Sequence, residues 1–375
     1  MDLNQAQSLL GGLSPTQFMR RHWQKKPLLV RRAIVDVAAP VTRAEMFALA
    51  ARDDVESRLI QRDVHDRWQL RHGPLPRRSL PALAQPGWTL LVQGLDLHVE
   101  AAQALLSRFR FVPAARLDDL MLSYASPGGG VGPHIDSYDV FLLQVQGRRH
   151  WRIARIGQPR LRDDVPLKML AEFESERAWL LEPGDMLYLP PGWAHDGLAV
   201  GGDCMTASIG FRAPQADELA QALLARLADG APGNEGAARY RDPAQAATPT
   251  PGAVPERLQR FARQALARAL ADPHLLDRTL GEWLTEPKAQ VWFESGAGQN
   301  IVRGVHLDRR SRMAYDARHV FINGESHRAS GRDARLMRTL ADQRRLDARA
   351  LAAASPDARS LLGEWLVSGW LHPGS

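Results

Sequence analysis

A single cysteine, Cys204, occurs in 375 residues. That excludes an intramolecular disulfide and fits a reducing compartment, so a cytoplasmic protein is expected. Cys204 itself reads as a small buried hydrophobe. No apolar run approaches the ~18 residues that a membrane span needs, so no membrane partner is expected. The opening residues, MDLNQAQSLLGGLSP, carry an early Asp2 and no basic segment, which argues against a signal peptide. No internal repeat occurs, and no heptad pattern runs long enough for a coiled coil. Lysine is missing from residues 301–375, where 13 arginines face 8 acidic residues, so +5 of the formal +6 sits there. A basic face of this kind can meet RNA or another polyanion; a helix surface dressed in arginine is the plainer alternative.

The length exceeds what one core serves, so two or three domains are expected. SPTQFMRRHWQKK, residues 14–26, reads as a helix: Ser14 can cap, Pro15 sits in the first turn, and Phe18 and His22 are four apart. PLLVRRA follows as a short strand. From about residue 86 to 212 the chain runs in short apolar segments bounded by Gly and Pro: WTLLVQG, LMLSYAS, VFLLQVQG, HWRIARI, AWLLEPGD, MLYLPPG and MTASIGF. Many short strands at close spacing mean a sandwich or barrel. Near residue 214 the period changes to that of helices, first in ADELAQALLARLADG and then in a stretch broken at Pro273. Between them, residues 230–255 are rich in Pro, Gly and Ala and read as a long loop or linker. The last region is mixed, with a hairpin signal at Asn323-Gly324 and two helical segments, RLMRTLADQRRL and ARSLLGEWLVSGWL.

The segment GGGVGPHIDSYDVFLLQVQGRRHW, residues 128–151, holds His134 and Asp136 just before a strand-like run. On a strand, residues two apart share a face, so both could reach one ion. A lone His-x-Asp is weak evidence. His306-Leu307-Asp308 repeats the pattern in a region without supporting ligands. Here a third ligand is available, because LEPGDMLYLPPGWAHDG ends a strand at a constrained corner on His195. Two histidines and a carboxylate form the facial triad of non-haem Fe(II) oxygenases, which leaves three coordination positions open. The glycines at 128–130 are not a phosphate loop, since no Lys-Ser/Thr follows and a strand comes next. Trp151, Trp179 and Trp193 read as core or corner packing.

Taken together, HWQKKPLL near the start, the 128–151 segment and LEPGDMLYLPPGWAHDG resemble the JmjC-type 2-oxoglutarate oxygenases. More narrowly they resemble the bacterial ribosomal oxygenases, which hydroxylate an arginine of a large-subunit ribosomal protein. The likeness covers residues 1 to about 212, and the helical and basic C-terminal parts agree with that family's layout. It implies a mixed α and β chain in three domains. A cupin-like double-stranded β-helix, or jelly roll, spans 1–212. A helical dimerisation region spans 213–287, and a basic winged-helix-like domain spans 288–375. It implies Fe(II) on His134, Asp136 and His195, O2 as reactant, and 2-oxoglutarate chelating iron through its 1-carboxylate and 2-keto oxygens. Arg149 matches the family's cation for the far carboxylate; spacing alone does not separate it from Arg148 and Arg152. Ser123 matches a serine near the same carboxylate, although a local strand hydrogen bond is an equally ordinary role.

For an arginine substrate the pocket needs a carboxylate and an aromatic face. Asp119 and Tyr138 match the family's positions, with Tyr138 two residues past Asp136 and expected on the same strand face. Ser208 is a weaker candidate for that pocket. A solvated Asp at a strand start and a packed Tyr at the barrel mouth are the plainer readings. The expected protein is a homodimeric hydroxylase of a ribosomal protein. The alternatives are a histidyl hydroxylase on the same fold, and a cupin-like metal-binding module without oxygenase activity that associates with RNA.

Overall fold

The computed structural model describes residues 2–229, 239–243, 247, 252–296 and 303–374. They form two compact units. One reaches to Ala213 and includes Gln290–Trp292; the other begins at Pro214.

In chain order the first unit runs α1 (Pro15–Arg21), β1 (Leu28–Val30), α2 (Arg43–Ala50), β2 (Ser57–Arg62), β3 (Trp68–His72), β4 (Trp88–Val92) and α3 (Glu100–Ser107). It continues with β5 (Leu117–Ala125), β6 (His134–Ile135), β7 (Val140–Arg155), β8 (Arg177–Leu181), β9 (Met186–Leu189) and β10 (Trp193–Phe211). One ten-stranded sheet results, ordered β1-β9-β7-β10-β5-β4-β2-β3, with β6 on β10 and β8 on β7. Strand alternation sorts its two faces. Leu120, Leu122 and Tyr124 of β5 join Met205, Ala207 and Ile209 of β10 in a large core that α1, α2 and α3 cover through Phe18, Met46, Phe47 and Ala102. Phe18, fully buried against Trp23, Phe141 and Tyr188, is a side chain whose truncation typically costs about 3–5 kcal/mol. Asp119, Met121 and Ser123 take the opposite face, the inside of the roll. There Val140, Leu142, Trp151, Ile153, Leu181, Leu187 and Leu189 form a second cluster.

The segments VFLLQVQG and HWRIARI, which read as two strands, are one bent strand, β7. The bend lies at Gly147, whose φ is +65° and where a Cβ would come within 2.8 Å of the Asp203 carbonyl. Only glycine suits that place. Before the bend β7 pairs with β9, after it with β8, and β10 accompanies both halves. This bend folds the sheet over itself into a jelly roll.

Two elements are shorter than their sequence suggests. Helix α1 has its expected cap, with Ser14 and Gln17 in a reciprocal capping box, but stops at Arg21. The reason is Gln24, whose φ is +54° and whose N–H donates to the Tyr188 hydroxyl at 2.8 Å. Strand β6 ends at Ile135, so Asp136 lies just past it and Tyr138 sits in a bend. Tyr138 therefore does not share a strand face with His134 and Asp136, as its spacing suggests. The chain turns there because the next residue, Asp139, is pulled to the other side. Its fully buried carboxylate accepts from the Tyr188 hydroxyl at 2.6 Å and from Gln24 Nε2 at 3.1 Å.

The second unit contains α4 (Ala216–Asp229), α5 (Glu256–Ala269), α6 (Pro273–Thr285), β11 (Gly304–Leu307), β12 (Met313–Tyr315), β13 (His319–Ile322) and β14 (Glu325–Arg328). After these come α7 (Gly331–Gln343), β15 (Arg345–Asp347), α8 (Ala348–Ala352), α9 (Pro356–Val367) and β16 (Leu371–Pro373). They make two three-stranded sheets, β15-β11-β16 and β12-β13-β14. The helix break at Pro273 is present, capped by Asp272. Asn323 and Gly324 both have positive φ and join β13 to β14, as an Asn-Gly hairpin requires. Both late helices end sooner than expected, because Arg344 turns left-handed into β15 and α9 gives way to β16. Most of the 230–255 linker lies outside the described residues.

Candidate metal centre

Strands β6 and β10 are antiparallel, with His134 directly opposite His195. The ring centroids are 4.2 Å apart. His134 Nδ1 lies 2.9 Å from the Gly132 carbonyl, and His195 Nδ1 lies 3.1 Å from the Trp193 carbonyl. A carbonyl only accepts, so Nδ1 is the donor in each ring, and in the neutral tautomer this leaves the Nε2 lone pair for a metal. Asp136 Oδ2 is 3.7 Å from His195 Nε2, and the Asp136 carbonyl accepts from Gly192 N–H at the corner that leads into β10. The three candidate donor atoms lie within 4.8 Å of one another; among the described residues this is the one group of three or more such side chains so placed. Burial, and then the neighbouring His134, push the His195 pKa down to about 4. At neutral pH its ring is therefore uncharged. A neutral imidazole, a second histidine and a carboxylate suit a divalent transition metal. The other His-x-Asp has a different use: buried Asp308 accepts from Arg310 and pairs with His372 Nε2 at 2.8 Å.

The three arginines that spacing could not separate differ sharply in surroundings. Arg148 is exposed, and Arg152 pairs with Asp196 at 2.6 Å. Arg149 is 4% exposed, and its Nε and Nη2 are buried without a hydrogen-bond partner. Its guanidinium sits 5.6 Å from the ring centre of Trp151, which in turn lies 5.8 Å from His195. Trp151 thus connects the cation to the triad, a position that core packing alone did not suggest. Its place two residues after Arg149 was the available signal. Gly197, opposite Trp151, leaves room for the ring; a Cβ there would come within 2.6 Å of it.

Ser123 is buried opposite Thr206 and donates to its carbonyl at 3.2 Å. Ser208 is opposite Met121 of β5 and Leu142 of β7. Asp119 is buried, not solvated, and its Oδ2 accepts from Gln93 Nε2 at 2.6 Å and from Gly94 N–H at 2.9 Å. Tyr138 is 39% exposed. Partial burial, then the charges of Asp136 and Asp119, push its phenol well above the usual tyrosine range, so it stays protonated. Sequence reasoning missed Gln93, Arg58, Gln24 and Asp139. Each acts through a partner far away in the chain, which no local spacing reveals.

Residues 104–219 match the family model of the JmjC domain, and residues 268–372 match that of the ROXA-like winged helix. The class is thus a JmjC roll followed by a winged helix. The chain is 36% identical over 277 residues to the ribosomal protein uL16 3-hydroxylase of Escherichia coli K12, covering 73% of this chain and 72% of that one. A probable ribosomal oxygenase of Haemophilus influenzae is 34% identical over 217 residues, covering 55% and 52%. The X-ray structure of E. coli YcfD superposes with a TM-score of 0.84 at 30% identity, covering 96% of this chain and 98% of that one. Its complex with cobalt and 2-oxoglutarate gives a TM-score of 0.81 at the same identity and coverage. The chain belongs to the JmjC ribosomal oxygenases.

Proposed function

We propose that this protein is an Fe(II)- and 2-oxoglutarate-dependent hydroxylase of a large-subunit ribosomal protein, and that it modifies an arginine side chain. The observation that carries the cosubstrate is Arg149. A buried guanidinium with two nitrogens lacking partners is costly unless an anion meets it, and the far carboxylate of 2-oxoglutarate supplies that anion. The related YcfD has been solved with cobalt and 2-oxoglutarate, and with cobalt and succinic acid.

His134 and His195 would hold the metal through Nε2, and Asp136 through a carboxylate oxygen. When bound, iron with 2-oxoglutarate and O2 supplies the power to place one oxygen atom in a C–H bond, releasing succinate and CO2. The chain's own residues supply position and exclude water. Arg149 offers a planar fork to the carboxylate, and Ser123 of β5 offers a hydroxyl from the inner face. Trp151 walls the space between Arg149 and His195. Asp119 takes the substrate guanidinium, Tyr138 offers a ring for it to stack on, and Ser208 lines the same face. A buried carboxylate favours a cationic substrate and supports arginine over histidine, although a histidyl-hydroxylase relative of Aedes aegypti is 25% identical over 206 residues.

We extend the reading to a homodimer formed through the helices after residue 213, because Leu224 of α4 and Leu258, Leu266 and Leu270 in and after α5 are exposed. The enzymatic reading is tested by succinate release from 2-oxoglutarate with purified ribosomal protein uL16. Release that depends on uL16 and on metal is expected. No release above the uL16-free background would leave a metal-binding module without oxygenase activity.

A further inference from the structure

Gln93 stands between two charged side chains on the inner face of the roll. Strands β2, β4 and β5 are neighbours, with Arg58 opposite Leu91 and Leu91 opposite Ser123. Gln93 comes two residues after Leu91. Its amide oxygen accepts from Arg58 Nη2 at 3.0 Å, and its amide nitrogen donates to Asp119 Oδ2 at 2.6 Å. These two bonds fix the amide's orientation, since a guanidinium only donates and a carboxylate only accepts. Arg58 is not fully satisfied by this contact, because its Nε is buried without a hydrogen bond. Tyr138 lies near enough for its phenol to feel both charges, Asp119 raising its pKa and Arg58 lowering it.

An arginine pairs with a carboxylate more strongly than an amide does, and often through two parallel bonds. Arg58 has donors to spare and a carboxylate one amide away. What it lacks is direct access. We infer that Gln93 is a specificity-determining positioning residue: it holds Arg58 off Asp119, so that Asp119 pairs with a guanidinium of the substrate rather than with that of Arg58. This rests on the assignment of Asp119 to the substrate side chain made above. On this account the pocket contains its own competitor, held at the distance of one amide group.

The test is steady-state kinetics with ribosomal protein uL16 as the varied substrate, on Gln93→Met, Arg58→Met, the double variant and Asp119→Asn. Gln93→Met should raise the KM for uL16 by about tenfold, the scale of losing a hydrogen bond to a charged group. Co(II) affinity and the KM for 2-oxoglutarate should stay at wild-type values. Adding Arg58→Met to Gln93→Met should bring the KM back to within about threefold of wild type, because the competitor is gone. Independent structural losses would instead multiply. A double variant whose deficit is the product of the two single deficits overturns the inference, as does a Gln93→Met KM within twofold of wild type. If Gln93→Met does not fold, Gln93→Asn, whose shorter amide cannot bridge both partners, takes its place with the same expectations. Asp119→Asn separates the two levels. An unchanged KM there removes the substrate-pocket assignment itself, whereas a raised KM without rescue in the double variant removes only the role of Gln93.

Discussion

At the scale of single residues, burial distinguishes what spacing leaves equal. Arg148, Arg149 and Arg152 sit within five positions, and the sequence alone offers no choice among them without the family likeness. Beyond Gly147, alternation along β7 buries Arg149 together with Trp151 and Ile153 and leaves Arg148 exposed. Replacing Arg149 with Ala should raise the KM for 2-oxoglutarate by about ten- to a hundredfold, equivalent to ~1.5–3 kcal/mol, while Co(II) still binds. Titration with 2-oxoglutarate checks this, and an unchanged KM would shift the role to another cation. The triad is a separate matter. His134→Ala, Asp136→Ala and His195→Ala should each lose bound metal in elemental analysis of the purified protein, and His306→Ala should keep it. The histidines were legible because their motifs are local. Trp151 was legible only as packing, since its contact with Arg149 becomes visible once β7 is seen as one strand.

At the scale of elements, the strands were legible and their ends were not. Each apolar run between Gly and Pro became a strand or part of one, because alternation and turn residues are local signals. Helix α1 stops early, and β6 shrinks to His134–Ile135, because distant partners decide those ends. Gln24 and Tyr188 anchor Asp139, and that anchor turns the chain between the candidate metal ligand Asp136 and strand β7. The same buried network reaches into HWQKKPLL through Gln24, a stretch that the sequence offered as a helix end, a strand start and part of a resemblance. Gly147 carries the largest architectural consequence. Gly147→Ala should destabilise the first unit by about 1–3 kcal/mol, from strain at positive φ together with the close Asp203 carbonyl. Denaturant titration measures this, and a midpoint equal to wild type would show that the bend has another origin.

At the scale of the molecule, several arginines of the basic C-terminal part are tied to backbone carbonyls within the fold. Arg338 donates to the carbonyls of Asp316 and Ala317, Arg344 to those of Asp308 and Ser311, and Arg359 to that of Ala352. Charge counting saw +5 but not these bonds. The homodimer proposed above rests on the exposed leucines in α4 and in and after α5, and closed two-fold dimers are the commonest arrangement. Light scattering at micromolar concentration should give twice the chain mass, and Leu258→Glu with Leu266→Glu should halve it. A wild-type monomer would reject the dimer.

The central claim concerns one oxygen atom placed on one kind of side chain. The direct measurement incubates the protein with Fe(II), 2-oxoglutarate, 18O2 and ribosomal protein uL16, then locates the label by fragment-ion mass spectrometry. The account predicts a single 18O on an arginine side chain, present with wild type and missing with His134→Ala. Label on a histidine would contradict the arginine assignment and leave a ribosomal hydroxylase of different specificity. No label in uL16 under conditions that release succinate would contradict the substrate itself.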